Sequence, residues 1–374
     1  MKPADHRLQS LDAFRGITIA GMILVNNPGS WDTVYPLLVH ADWNGCTLAD
    51  LVFPFFIFIM GVAMPFAFSR RLSSGPARAG LRRHIWRRAG SLVALGLVLN
   101  VVAALPAAGQ LRIPGVLQRI GIVYLIAAFV VLHAGTAARL GIAAAILAGH
   151  WALLVLVPFG GHAAGVVAPD HNLAGMIDKA VFGAHTLTPA GDPEGLLGTA
   201  PAVASALFGS IAGDWLRSCD TAARRIGGLA AGGGAALLLG LVWSRAWPLN
   251  KPLWTGSFTL VTAGLGALLF ALCFLLIDVW RVRRWARPFV WLGVNPLAIY
   301  FLAEFVGHLM DRPWVPDGAE WTTAKSWLFW TVLQPRIAPP LGDAGASLAF
   351  AVLTVLAWTL VAGVLYRRDV RIQV

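Results

Sequence analysis

The segment that indicates the fold is His40-Ala-Asp-Trp-Asn-Gly-Cys-Thr-Leu-Ala-Asp50, which runs directly into Leu51-Val-Phe-Pro-Phe-Phe-Ile-Phe-Ile-Met60. The apolar residues continue to about residue 68, and about 20 mostly apolar residues are enough for a membrane-spanning helix. An ionisable side chain is costly inside a bilayer, and histidine changes its charge near neutral pH. The junction therefore predicts a membrane helix with a proton-transfer group at its mouth.

The composition excludes a soluble domain. The 374 residues are 57% hydrophobic and 13% charged, with a mean hydropathy of +0.70. The net charge of +11 comes from arginines in short loops between apolar segments, so we expect the lipid bilayer, and no nucleic acid, as a partner. Cys46, Cys219 and Cys273 are far apart, and we expect neither a disulfide framework nor a metal site.

Apolar segments recur along the whole chain and predict an all-α, polytopic membrane helix bundle with about ten transmembrane helices. We treat residues 1–374 as one transmembrane domain. A Gly-rich segment, 227–234, could pack helices within the chain or in a homodimer. The ten predicted segments are 11–28, 48–68, 90–106, 114–133, 141–158, 199–216, 228–244, 256–277, 289–308 and 346–366.

The basic residues predict the orientation. With the N-terminus in the cytoplasm, 20 of the 29 Arg and Lys residues lie in inside segments and seven in outside segments. This bias places both termini in the cytoplasm and His40 on the opposite face. Two long outside loops follow, at about 159–198 and 309–345. Three tryptophans in Trp321–Trp330 predict a helix lying in the membrane interface.

Several polar residues are not explained by membrane insertion. Asp12 and Arg15 are three residues apart and can form a structural ion pair. Arg119 is either a snorkelling side chain or part of a buried site. Ten polar residues fall at or near the outer face, which favours one polar site there. They are Asn26, His40, Asp50, Arg112, Gln118, Arg119, Asp192, Glu194, Asn250 and Lys251.

Six segments, in order along the chain, resemble the heparan-α-glucosaminide N-acetyltransferase family of transmembrane acetyltransferases. The resemblance runs nearly end to end and points to a bacterial relative. It is carried by Leu11-Asp-Ala-Phe-Arg-Gly16, His40-Ala-Asp-Trp-Asn-Gly45 with Ala49-Asp-Leu-Val-Phe-Pro54, Arg112-Ile-Pro-Gly-Val-Leu-Gln-Arg119, Asp192-Pro-Glu-Gly-Leu-Leu-Gly198, Asn250-Lys251 with Leu253-Trp254, and Gly293-Val-Asn295.

The resemblance implies an acyltransferase that takes the acetyl group of cytoplasmic acetyl-CoA and transfers it to the amine of a glucosamine-type sugar on the periplasmic side. It also implies a location in the bacterial inner membrane. The catalytic histidine of the family matches His40, and an essential asparagine matches Asn26, with Asn27 as the alternative. Compared with lysosomal members of the family, we expect no counterpart of their N-terminal luminal domain, so the resemblance leaves the acceptor sugar open.

The residue types suit this chemistry. A sugar ammonium must lose a proton before it attacks a thioester, and a histidine, with a reference pKa near 6.5, can accept it. The amide of Asn26 can donate to the carbonyl oxygen of the tetrahedral intermediate. Asp50 or Asp42 would orient the imidazole or hold the incoming ammonium, with Asp12 and Arg15 in support. Direct transfer and an acetyl-His40 intermediate are both compatible with the sequence.

The other candidate residues divide between the two substrates. For the acceptor sugar we expect Trp43, Asp178, Asp192 and Glu194. For acetyl-CoA we expect Arg112, Gln118, Arg119, Asn250, Lys251, Trp254 and Asn295, the last lining a tunnel between helices. The alternative function is a transporter for a sugar or an anionic metabolite, which would place its site near the bilayer midplane.

Overall fold

The computed structural model describes residues 8–73, 78–105, 111–317 and 320–372, and this part of the chain is almost entirely helical. The first helices are α1 (Gln9–Asn26), α2 (Leu48–Ser73), α3 (Arg78–Ala104), α4 (Val116–His133), α5 (Thr136–Leu156) and α6 (Leu173–Phe182). They are followed by α7 (Leu196–Ser218), α8 (Ala222–Trp243), α9 (Gly256–Phe274), α10 (Arg287–Val294), α11 (Pro296–Met310), α12 (Ala324–Trp327) and α13 (Gln334–Arg367).

The helices that could cross a membrane confirm an all-α polytopic bundle. Eight helices in the described residues are long and apolar enough, and α10 with α11, bent by 85°, is a candidate ninth span. The first predicted segment, 11–28, forms α1, which is not among these spans and which carries Asp12 and Arg15. Most of α1 is buried, so neighbouring helices surround its polar residues.

Helix α1 occupies the centre of the bundle, where it contacts α2, α9, α10, α11 and α13. Its approach to α10 is backbone to backbone. A side chain at Gly16 would collide with the carbonyl of Phe289, and one at Gly293 would collide with the carbonyl of Asp12. Small residues at such crossings let two helices pack closely within a membrane. This contact brings Asp12 and Arg15 against the start of α11.

Helices α2 and α7 form a second close pair for the same reason. A side chain at Gly61 would collide with the carbonyl of Ala206, and side chains at Gly209 and Gly213 would collide with the backbone of α2. The apolar core around this pair includes the fully buried Ile57. The start of α2, which carries Asp50, is therefore held on a rigid pair of helices.

The bundle has two polar faces, which we name by the predicted orientation. The inner face carries the start of α1, α10 and the last described residues; Ser10 N–H donates to Asp278 there, and the side chain of Asn295 bonds to the backbone of Val370 and Ile372. The outer face carries His40, the starts of α2 and α7, and the turn between α8 and α9. The first and last described residues thus share the inner face, as the orientation requires.

The two long outer segments contain local structure. Helix α6 lies in the first, with three isolated β-bridges around it. The second contains a hairpin of β1 (Pro313–Asp317) and β2 (Glu320–Thr323). The prediction of a helix over Trp321–Trp330 is wrong in its first part, because residues up to Thr323 pair with β1 and the helix begins only after the Thr323 hydroxyl caps it.

Candidate functional site

The outer site is organised around a hydrogen bond between His40 and Asp50. The imidazole Nδ1 lies 2.8 Å from Asp50 Oδ1. A carboxylate only accepts hydrogen bonds, so we assign the proton to Nδ1, which leaves Nε2 as an acceptor. The His40 side chain is 47% exposed and that of Asp50 is 1% exposed. An exposed base oriented by a buried carboxylate is an arrangement suited to general-base catalysis.

The local sequence around Thr47 explains how Asp50 is fixed. Thr47 precedes the first residue of α2, and Asp50 Oδ2 accepts from the Thr47 backbone N–H at 3.0 Å and from the Ala41 N–H at 3.1 Å. A threonine followed three residues later by an acidic residue, just before an apolar run, is the pattern of a capping box. The carboxylate also lies at a helix N-terminus, where negative charge is favoured.

A turn from the distant α8–α9 connection completes the site. Gly45 N–H donates to the carbonyl of Leu249, and Asn250 Nδ2 donates to the carbonyl of Trp43 at 3.1 Å. Asn250 Oδ1 accepts from Leu253 N–H, which closes the turn. Asn250 thus both closes this turn and holds it against the His40 loop.

This turn places Lys251 against the hydrogen-bonded pair of His40 and Asp50, which we call the dyad. Its Nζ lies 3.1 Å from His40 Nδ1, 3.3 Å from His40 Nε2 and 3.5 Å from Asp50 Oδ1. Burial lowers the pKa of Lys251, while the charges of Asp50 and Glu194 oppose that change. Burial also raises the pKa of the neighbouring Cys46 thiol to about 12, and the Asp50 charge adds to this.

A buried ion cluster ties the start of α7 to the segment before α4. The guanidinium of Arg112 pairs with Asp192 at 2.6 Å and with Glu194. Burial alone would lower the pKa of Arg112, but the hydrogen bonds and charges of the two acidic residues raise it above its usual value. The structure therefore places Asp192 and Glu194, predicted to bind sugar, in contact with Arg112, predicted to bind acetyl-CoA.

Arg119 is fully buried and does not snorkel. Its Nη2 donates to the carbonyl of Gly195, its guanidinium lies over the ring of Trp254, and its Nε and Nη1 have no hydrogen-bond partner among the described residues. Glu194 and Asp192 are close enough to interact with its charge. Arg119 and Glu194 both interact with the charge of Lys251, so these groups lie together at the outer face. We call them the outer cluster, and its members are His40, Asp50, Arg112, Arg119, Asp192, Glu194 and Lys251.

Asn26 lies at the far side of the outer cluster. Its Nδ2 donates to Glu304 Oε1 on α11 at 2.9 Å, and Tyr300 also hydrogen-bonds to it. Tyr300 interacts electrostatically with Glu194 and Arg112, so Asn26 is connected to the site through this network. Asn27 instead donates to the carbonyl of Ile23 within its own helix, which favours Asn26 over Asn27 as the outward-facing amide.

Three predicted site residues lie on the inner face instead. Asp12 and Arg15 form the expected ion pair at 3.0 Å, and Arg15 also lies 3.4 Å from the carbonyl of Gly293. Asn295 bonds to the C-terminal backbone at Val370 and Ile372, so its amide fastens this segment and is not free to line a tunnel.

The inner face contains a cavity of about 310 Å³ between α1, α2, α3, α4 and α11. Its polar lining comes from Asp12, Arg15, His84, Arg88 and Tyr124, and its apolar lining includes Phe56, Met60 and Met64. Arg88 lies over the Tyr124 ring, and its Nε is buried with no hydrogen-bond partner among the described residues. The cavity combines a basic group with an apolar interior.

The remaining predicted residues have mainly structural positions. Trp254 is fully buried and donates to Ser205, so it cannot contact a substrate at the surface. Gln118 is buried and donates to the carbonyl of Ile113. Asp178 is buried and accepts from Leu196 N–H, which caps α7.

In the His40 loop, Asp42 is exposed, and Asp50 is the residue that holds the imidazole. Trp43 donates to the carbonyl of Val167.

Comparison with known proteins identifies the relatives of this chain. Residues 7–161 match the family model described as heparan-alpha-glucosaminide N-acetyltransferase, catalytic. The human protein named heparan-alpha-glucosaminide N-acetyltransferase is 28% identical over 365 residues. Over the matched residues, the chain is similar to these heparan-α-glucosaminide N-acetyltransferases. The mouse protein of the same name is 26% identical over 370 residues.

The match to these acetyltransferases has a defined extent. It covers 83% of this chain and 54% of the human protein, and 84% of this chain and 56% of the mouse protein. The chain therefore spans a little over half the length of these curated relatives. The family-model region contains Asn26, His40 and Asp50, while Lys251 lies outside it.

Sequence reasoning did not select Glu304, Thr47 or Arg88 as site residues. Glu304 is a lone acidic residue in an apolar helix, which is a signal of function or pairing. Thr47 had the capping-box spacing to Asp50. Arg88 was one of many inner arginines, and nothing in the sequence separates it from Arg87.

Proposed function

We propose that the protein is an acetyl-CoA-dependent N-acetyltransferase that acetylates the amine of a glucosamine-type sugar at its outer face. The names of the proteins that it resembles support the reaction class and the amino-sugar acceptor. The observation that carries the proposal is the His40–Asp50 hydrogen bond of 2.8 Å at an exposed imidazole. It gives the chain a base at the outer face.

His40 begins the reaction as a general base. Its Nε2 takes one proton from the sugar ammonium, and the resulting amine attacks the thioester carbonyl of the acetyl donor. Collapse of the tetrahedral intermediate breaks the C–S bond, and the thiolate takes the second amine proton. Asp50 stabilises the imidazolium that forms, as the carboxylate does in a Ser-His-Asp triad. In the alternative route, Nε2 itself accepts the acetyl group before the amine does.

Asn26 is the proposed donor to the oxyanion. Its Nδ2 carries two hydrogens, and one is engaged by Glu304. The bond to Glu304 fixes the plane of the amide, so the second N–H has a defined direction. A preorganised donor of this kind contributes about 2.7–4 kcal/mol to lowering an acyl-transfer barrier.

The inner cavity is the proposed site of the acetyl donor. A CoA nucleotide carries phosphates, and Arg88, with its buried and unpartnered Nε, fits a phosphate ligand. Phe56, Met60 and Met64 give an apolar path for the pantetheine arm. Because Phe56 follows Asp50 by six residues on α2, the end of the cavity is about 9 Å along the helix axis from the dyad. The arm would reach His40 from the inside of the bundle.

In this arrangement the donor enters from the cytoplasm and the acceptor from the opposite side. The excess of arginines on the inner segments supports that orientation. For a bacterial protein, the compartment of the acceptor is the periplasm and the membrane is the inner membrane.

The test uses purified protein in detergent with acetyl-CoA labelled in its acetyl group and glucosamine as acceptor. We expect labelled N-acetylglucosamine from the wild type and from His162→Ala, an exposed outer-loop histidine that serves as control. His40→Ala should reduce the rate by at least about 10³-fold. Label recovered on His40 in the absence of acceptor would select the acetyl-histidine route. Wild-type rates in His40→Ala would refute the proposal.

A further inference from the structure

The position of the Lys251 ammonium relative to the imidazole is unusual for a hydrogen bond. Its Nζ is nearly equidistant from the two ring nitrogens, at 3.1 Å from Nδ1 and 3.3 Å from Nε2. A donor in line with the lone pair of Nε2 would be much farther from Nδ1, on the other side of the ring. Lys251 therefore lies over the ring or beside its Cε1 edge, and the lone pair of Nε2 remains open toward a substrate.

The backbone of the turn is shaped to hold this position. Trp254 has a φ of 53°, a left-handed conformation that is strained for a bulky side chain. Its indole is fully buried against Phe53, Phe258 and the guanidinium of Arg119, which keeps the strained residue in place. Asn250 fastens the other end of the turn to Trp43 and Asn44. Strain held by surrounding structure is common at functional sites.

Two groups of opposite charge, the Asp50 carboxylate and the Lys251 ammonium, lie next to the His40 ring. The Asp50 carboxylate, on α2, favours the imidazolium, and the Lys251 ammonium, on the α8–α9 turn, opposes it. Glu194 and Arg119 lie farther out and interact with Lys251, and the neutral Cys46 thiol interacts with both Lys251 and Asp50. Without Lys251, the carboxylate would act on the ring unopposed.

We propose that Lys251 is a positioning residue that keeps the His40 imidazole unprotonated while Asp50 fixes its tautomer. This rests on the proposed function, because an unprotonated ring is what proton abstraction and acetyl transfer both require. The two residues have different roles. Asp50 orients the ring, and the positive charge of Lys251 opposes the protonation of Nε2 that the carboxylate would otherwise favour before the substrate binds. Lys251 thereby acts through His40 and not on the acetyl donor.

The experiment measures the protonation of His40 directly and needs no acetyl transfer. Diethyl pyrocarbonate modifies only the unprotonated imidazole, so the rate of His40 carbethoxylation, followed by peptide mass spectrometry, is recorded against pH. The variants are Lys251→Met, Lys251→Gln and Lys251→Arg, with Lys179→Met as the matched control at an exposed outer lysine. The full-length protein in detergent is used throughout.

In Lys251→Met and Lys251→Gln, we expect the pH of half-maximal modification to rise by about one pH unit, because a neighbouring charge shifts a titration by this order. Lys251→Arg and Lys179→Met should stay at the wild-type value. An unchanged or lower half-point in both neutral variants would overturn the proposal. If the two neutral variants show the shift but the wild-type protein acetylates no amino sugar, the proposed function fails while the role of Lys251 in His40 protonation stands.

Discussion

The outer cluster and the inner cavity differ in what their charged groups contact. At the outer face Asp50, His40 and Lys251 contact one another within 3.5 Å. At the inner face Arg88 lies beside an open volume of about 310 Å³, and its Nε has no partner among the described residues. A site whose groups already contact each other is preorganised for chemistry, whereas a guanidinium with an unpartnered Nε beside a cavity is suited to bind a ligand.

The comparison predicts that outer variants affect turnover and inner variants affect donor affinity. The largest effect is expected for Asp50→Asn, which preserves shape but can present an amide donor to Nδ1 and so favour the wrong tautomer. We expect kcat to fall by about 10³–10⁴-fold. The KM for acetyl-CoA should change little. Steady-state kinetics with both substrates varied will check this, and a change confined to KM would contradict it.

The second prediction concerns the stability of the outer cluster. Arg112→Ala leaves the buried carboxylates of Asp192 and Glu194 without their cation. Removing one partner of a buried ion cluster costs about 3–5 kcal/mol. We expect a marked loss of thermal stability in detergent, measured by the loss of folded monomer on heating. Arg245→Ala, an exposed arginine in the α8–α9 connection, should leave stability unchanged.

The inner cavity is tested by Arg88→Ala. Charge-assisted hydrogen bonds contribute about 1.5–3 kcal/mol, so the KM for acetyl-CoA should rise by about 10- to 100-fold with kcat nearly constant. Arg87→Ala removes the adjacent, exposed arginine and provides the matched control. Equal effects of the two variants would show that the inner face acts through its overall charge and not through this cavity.

The smallest effect is expected at Cys46, which reports the charges of the outer site. Since burial and the Asp50 charge raise its pKa to about 12, the thiol should be almost unreactive with iodoacetamide at pH 8. Asp50→Asn removes one cause and should increase the alkylation rate, while Lys251→Met removes the opposing cation and should decrease it further. Mass spectrometry of the Cys46 peptide measures both changes. Slower alkylation in Asp50→Asn together with faster alkylation in Lys251→Met would show that these two charges do not control the thiol.

The sequence was sufficient to predict the helices and the pairing of His40 with Asp50. Apolar runs require helices because backbone polar groups must be satisfied inside a bilayer. His40 and Asp50 are close in sequence, and the capping-box spacing from Thr47 fixes the carboxylate locally. Local patterns of this kind can be recognised without knowing how the helices pack.

Contacts between distant segments could not be predicted. Lys251 reaches His40 across 211 residues because of how the α8–α9 turn docks, and no periodicity encodes that contact. Arg119 and Trp254 look like interfacial residues in sequence, yet each is fully buried against the other. Asn295 was predicted to line a tunnel, but the bend between α10 and α11 directs its amide to the C-terminal backbone.

The central claim is that donor and acceptor approach opposite faces of one bundle, and proteoliposomes test it most directly. Vesicles loaded with glucosamine are given labelled acetyl-CoA, which does not cross the bilayer, on the outside only. We expect labelled N-acetylglucosamine inside the vesicles with the wild type and almost none with His40→Ala. Product that forms only when acetyl-CoA and glucosamine share a compartment would contradict it.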